Sequence, residues 1–205
     1  MCDSGYFRSA KDISSDYSAA ARIFSYNLNG TSDSQIKTPF GELLFAFAPQ
    51  FPFLTTLAEP GITQLLFTVE PCAQFAPHTH PRGDELLQVI TGSVKGGLID
   101  EKETTFPVAL GPLDFTVFPK GLAHFVYNEE CEKATLLATF TNIDPGTVLL
   151  VPTALDLPDL ALQGALGVNS SMMADIRSKI NKRTLFMSNN DPACYKKCKI
   201  SAPAA

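Results

Sequence analysis

The chain has 205 residues, 45% of them hydrophobic, and 16 Lys and Arg against 21 Asp and Glu give a formal charge of -5. That length and apolar content can bury one substantial core, so a single main domain is expected. No run of 18 apolar residues is present to span a membrane as a helix, and the acidic balance argues against a nucleic-acid surface.

Residues 1–35 are rich in Ser, Asp and Asn, carry the turn signal Asn29-Gly30, and read as an N-terminal arm. From Gly41 onward, short strand-like runs alternate with Gly and Pro at 42–47, 62–70, 85–90, 93–99, 113–118, 123–127, 134–140 and 147–151. Such spacing indicates an all-β sandwich or barrel over residues 36–152. After Pro152 the apolar spacing becomes helical over 155–166 and 171–180, which makes residues 153–183 a helical extension. Its stripe of Leu157, Leu160, Ala161, Met172, Met173, Ile176 and Ile180 reads as core-facing. Asn169-Ser170 offers a helix N-cap, and Asp175 with Lys179 makes a favourable i,i+4 pair. Residues 184–205 read as a tail, with Lys196, Lys197 and Lys199 as a solvated basic end.

Five cysteines stand at positions 2, 72, 131, 194 and 198, so internal bridging leaves at least one unpaired. Cys194 and Cys198 could bridge each other, or one of them Cys2, and could tie the tail down. Cys72 reads as a small buried apolar residue. Zinc binding by Cys194 and Cys198 is the weaker reading, because no third ligand lies nearby. Two glycosylation sequons, at Asn29 and Asn169, are each common by chance, and with the cysteines they favour a secreted protein only alongside the family resemblance given below. No apolar leader precedes Asp3, so a signal peptide is inferred to have been removed.

All three histidines fall in one constellation. His78 and His80 are two apart, a spacing that places both imidazoles on one face of an extended segment. Pro81-Arg82-Gly83-Asp84 is turn chemistry, so Glu85 can open the next strand and face the same point. His124 arrives from a third strand. Three imidazoles and one carboxylate suit a divalent transition metal, with Mn2+, Fe2+ and Zn2+ all admissible. By strand parity, Leu65, Phe67, Leu87 and Val89 face inward as well, and the surrounding pocket is apolar. Asn128, four residues past His124, is either a hydrogen-bonding partner of the site or a strand-end turn residue.

His78 to Gly92 reads H-x-H-x4-E-x6-G, and Pro119 to Asn128 reads P-x-G-x2-H-x3-N. In both stretches the chain resembles the germin-like branch of the cupin superfamily, including the spherulins. The resemblance implies a single jelly-roll cupin β-barrel with His78, His80, Glu85 and His124 as metal ligands and manganese as the first choice of ion. It also implies that the C-terminal helices pack across a subunit interface, in dimers and trimers of dimers. The sequence departs from the family where glycine usually opens each motif: Cys72 and Leu113 stand there, read as altered turn geometry that leaves the ligands intact. A further departure concerns the members that oxidise oxalate. Their asparagines correspond to Phe75 and Leu65 here, so a dianion would lose its hydrogen-bond partners and oxalate oxidation is disfavoured.

Three functional readings follow. The first is a secreted manganese oxidoreductase of the superoxide dismutase type, in which Glu85 serves as ligand and Asn128 supports the site. The second is a metal-dependent oxygenase, isomerase or cyclase acting on a small apolar molecule. The third is an extracellular protein whose ion only stabilises the barrel. A Ser/His/Asp hydrolase is excluded in practice, since no histidine remains outside the metal constellation.

Overall fold

A computed structural model describes residues 35–46, 61–180 and 184–201. The expected N-terminal arm, Cys2 and the Asn29 sequon lie outside them. The strands are β1 (Gln35–Thr38), β2 (Gly41–Ala46), β3 (Thr63–Val69), β4 (Ala73–Thr79), β5 (Glu85–Thr91), β6 (Val94–Ile99), β7 (Thr105–Leu110), β8 (Phe115–Phe118), β9 (Ala123–Tyr127), β10 (Ala134–Phe140), β11 (Val148–Leu149) and β12 (Phe186–Ser188). They form two sheets, ordered β1-β2-β3-β10-β5-β8 and β11-β4-β9-β6-β7, with β12 beside β4. The fold is all-β, as the strand spacing implied, and a jelly roll, as the family resemblance implied.

The core lies between the sheets because each central strand alternates. β3 and β10 both run buried and half-buried in strict turn, and Leu65, Phe67, Leu136 and Ala138 meet the opposite sheet across it. Gly92 makes the turn from β5 to β6 at φ +77, where a Cβ would also stand 2.7 Å from Ala134 Cα. One irregularity matters for the site. Phe75 pairs Val126 while His78 pairs His124, so β4 carries one extra residue at Ala76-Pro77. The bulge accommodates a proline and resets parity, which brings Phe75 and His78 inward although three positions separate them.

Several expectations need correction. Residues 105–110 form a strand despite Pro107, which the edge position of β7 tolerates. Residues 147–151 are strand only at β11, and helix α1 (Leu150–Ala154) carries Pro152 in its first turn, where no amide donor is needed. Helices α2 (Asp159–Leu166) and α3 (Ser170–Lys179) follow. Asn169 caps α3 by accepting from Met172 N, and Lys179 pairs with Asp175 at 2.7 Å. The apolar stripe is not core. Of its residues Met173 alone is buried, Ile176 and Ile180 are half-buried and Leu160 is 90% exposed; the other buried residue of these helices is Leu162.

The expected tail is built into the barrel. Phe186 on β12 is fully buried against Phe67 and Phe75. Helix α4 (Pro192–Cys198) follows and is bridged twice, Cys72–Cys194 and Cys131–Cys198. Neither Cys72 nor the Cys194 and Cys198 pair is as first read: Cys72 is bridged, and each tail cysteine reaches a different loop of the barrel. In the chain-entropy account, loops of 122 and 67 residues are each worth about 4–5 kcal/mol taken singly.

The two family glycine positions keep the left-handed conformation without glycine. Cys72 has φ 55 and Leu113 φ 71, each following a proline in a turn closed by Ala73 N to Glu70 O at 3.2 Å and Asp114 N to Gly111 O at 3.1 Å. Both turns therefore adopt the left-handed conformation that glycine favours. Cys72 is held there by its disulfide, whereas Leu113 is 73% exposed and gains little from packing. Leu113→Gly is expected to leave stability unchanged or to raise it by up to about 1 kcal/mol, and Leu113→Val to lower it by about 1 kcal/mol. Chemical denaturation of the two variants checks this. A marked loss in the glycine variant would contradict it.

Candidate metal centre

His78 and His80 come from β4 and the turn after it, Glu85 opens β5, and His124 lies on β9. All four are buried, and their ligand atoms fall within 4.8 Å of one another. His78 Nε2 and His80 Nε2 are 3.1 Å apart, and Glu85 Oε2 lies 3.2 Å from both His80 Nε2 and His124 Nε2. Each ring is held on its far side. His78 Nδ1 donates to Ala76 O at 2.7 Å, His124 Nδ1 to Leu122 O at 2.9 Å, and His80 Nδ1 to Gly146 O. Each also packs on one phenyl ring: His78 on Phe75, His80 on Phe140, His124 flat on Phe118.

This donor set fits a divalent cation. A carbonyl only accepts, so every Nδ1 carries a proton and each neutral ring turns its Nε2 lone pair inward. Two such lone pairs at 3.1 Å, beside a carboxylate, repel unless a positive charge stands between them.

Comparison with known proteins agrees with this geometry. The cupin family pattern matches residues 26–174. The chain belongs to the cupin family. Its relatives are germin-like: it is 35% identical over 105 residues to germin-like protein subfamily 3 member 1 of Arabidopsis thaliana, covering 51% of this chain and 49% of that protein. With spherulin-1B of Physarum polycephalum it shares 31% identity over 134 residues, covering 63% and 50%. An oxalate oxidase solved with the substrate analogue glycolate superposes with a TM-score of 0.66 at 25% identity, covering 77% of this chain and 80% of that one. This cupin thus spans about half the length of these two curated relatives.

The ligands face a cavity of about 200 Å³. Leu65, Phe67 and Phe75 line it, whereas Leu87 and Val89 do not and instead pack in the core behind it. Phe118 and Phe140 are also in the wall, one on each side of Glu85 in register. The alternation of 134–140 already carried the signal for Phe140, because its inward residues end there. The mouth is formed by Asp144 to Thr147, a loop no motif marked. Asn128 is not part of the cavity. Its Nδ2 donates to Val69 O and Glu132 O, and its Oδ1 accepts from Glu130 N, so it is the strand-end residue and has no catalytic position.

The turn carrying Glu85 is braced to the His124 loop. Gly121 N donates to His80 O at 2.9 Å, and Asp84 accepts from Lys120 N at 2.9 Å and from the Thr141 hydroxyl at 3.1 Å. The Lys120 amide holds the Asp84 carboxyl below its usual range.

Burial first, and then the neighbouring His124, lowers His78 from 6.5 to about 3. Burial pushes the Glu85 carboxyl up, but without an ion the hydrogen bonds from His124 and His80, each made through an Nε2 proton that a bound cation would replace, outweigh it and hold the group at about 2, against an ordinary 4.5. Both folded values lie below the unfolded ones, so the unfolded chain binds more protons as acid is added. Their contribution is complete above pH 6.5 and is lost as pH falls, for His78 down to about 3 and for Glu85 down to about 2. The melting temperature of the metal-free protein is expected to drop steadily from neutral pH toward pH ~3, and any bound ion to leave over the same range. Full metal occupancy in a His78→Ala, Glu85→Ala double variant, read by elemental analysis after dialysis, would mean that these side chains are not the ligands.

Proposed function

We propose that this cupin is a secreted manganese-dependent oxidoreductase of the superoxide dismutase type. One observation carries the reading: among the described residues, every ionisable group that lines the cavity belongs to the candidate ligand set, apart from Asp144. That lining favours chemistry carried by the ion, on a substrate that needs no side-chain attack. A redox-active divalent ion held here would supply one-electron exchange, with open coordination positions for a small oxygen species. The chain's own part is to orient three neutral rings and one carboxylate, leaving a net charge of about +1 that favours a small anion. Nitrogen and oxygen donors admit manganese, iron or zinc, and the germin-like resemblance puts manganese first. Thiolates do not compete, because the four described cysteines are bridged. Those bridges also favour an oxidising compartment, hence secretion.

Oxalate remains disfavoured. Phe75 and Leu65 both line the cavity, and among the described lining residues there is no Asn, Gln, Arg or Lys to meet a second carboxylate.

The cavity volume favours a second reading, turnover of a small apolar organic molecule. About 200 Å³ exceeds the ~150 Å³ that holds benzene in a dry protein cavity. Elemental analysis beside a superoxide dismutase assay separates the two. Stoichiometric manganese is expected, with dismutation abolished by chelation and by Glu85→Ala. Activity that survives both would refute the lead reading, and metal without dismutation but with saturable uptake of a ring compound would establish the second.

We further propose that the cupin is a homo-oligomer. Leu86 and Val117 pair on the outer face of the sheet edge, with Phe115 exposed beside them, and Leu160 stands out from α2. Such apolar surface marks association. Light scattering is expected to give a multiple of 22.2 kDa, and a Leu160→Glu, Phe115→Glu double variant a monomer. A monomeric wild type would contradict this.

A further inference from the structure

The three imidazoles are not held alike. His78 and His124 each donate to a carbonyl two residues earlier in their own segment, Ala76 and Leu122. The acceptor for His80 is Gly146 O, 66 residues along the chain on the loop after β10. A carbonyl two residues away comes with the strand. A distant one has to be brought there and kept.

Arg82 makes the contacts that do so. Its amide donates to Pro145 O at 3.0 Å, its Nε to Asp144 O at 2.8 Å, and its Nη2 pairs with Asp144 Oδ1 at 2.6 Å. Its own carbonyl accepts from Asn142 Nδ2 at 2.8 Å, and Asp144 Oδ1 takes the Gly146 amide at 3.2 Å. The guanidinium lies against Gly146. A Cβ at that residue would stand 2.8 Å from Nη2, and its φ is +67. Backbone and fork are thus fitted to each other across the acceptor of His80.

We propose that Arg82 is a positioning residue of the metal centre: it clamps residues 142–146 so that Gly146 O fixes the His80 ring with Nε2 free toward the ion. The inference rests on the metal reading of the site. The Arg82–Asp144 pair is half-exposed and adds little stability as a surface ion pair. Its effect is geometric, through a planar fork that binds a main-chain oxygen and a carboxylate together, which lysine cannot reproduce. Arg82 also keeps the Asp144 carboxyl below its ordinary range, so the partner stays charged.

The test uses Arg82→Gln, Arg82→Lys and, from the other half of the contact, Asp144→Ala. Long-range proton–nitrogen NMR of the metal-free protein at mildly alkaline pH reads the tautomer of each histidine. His80 is expected to be Nδ1–H in the wild type and mixed in the variants, while His78 and His124 keep their tautomer. The Mn2+ dissociation constant is expected to rise about tenfold in all three, lysine giving no rescue. An unchanged His80 tautomer or an unchanged dissociation constant in Arg82→Gln overturns the proposal, and Asp144→Ala decides it if that variant fails to fold. Should the wild type take up no ion, the metal reading fails by itself and the tautomer alone decides.

Discussion

Repulsion among four electron-rich atoms is the constraint around which this barrel is arranged. Three contacts among the imidazole nitrogens and the carboxylate oxygen stand at 3.1–3.2 Å in a buried, phenyl-lined space. The rings cannot turn away. Each is pinned by a carbonyl behind and a phenylalanine beside it. The sheets therefore hold the ligands in a geometry costly without a cation, which is how a protein preorganises a metal site.

That arrangement depends on local breaks in regularity. A regular β4 would send Phe75 and His78 to opposite faces. The extra residue at Ala76-Pro77 turns both inward, so a single strand supplies a ligand and the ring that packs on it. The turns at Cys72 and Leu113 show the same economy from the other side. Left-handed backbone is kept at each, by a disulfide at one and without evident compensation at the other.

Much of this was legible in the residues. The spacing His78, His80, Glu85 and His124 marked the four side chains the structure brings together, and the alternation of 134–140 marked a central strand to the residue. What escaped was whatever depends on contacts distant in sequence. Asn128 shares a parity with His124 but is consumed by the backbone of Val69 and Glu132. Leu87 and Val89 point inward, yet past the cavity. The short strand at 186–188 carries too few residues for any period, and only its pairing with β4 defines it. The disulfide partners were equally hidden, since each bridge joins α4 to a loop that sequence distance does not relate to it.

The C-terminal segment has a consequence for biosynthesis. Leu185 forms part of the cavity wall and Phe186 fills the core beneath it. Residues 184–201 leave the ribosome after every other strand, so a nascent barrel stays open along one side until they arrive. Oxidation at Cys194 and Cys198 then fastens the seam. The cavity wall is therefore complete only once the C-terminal segment has docked, and the two bridges secure the last part of the barrel to form.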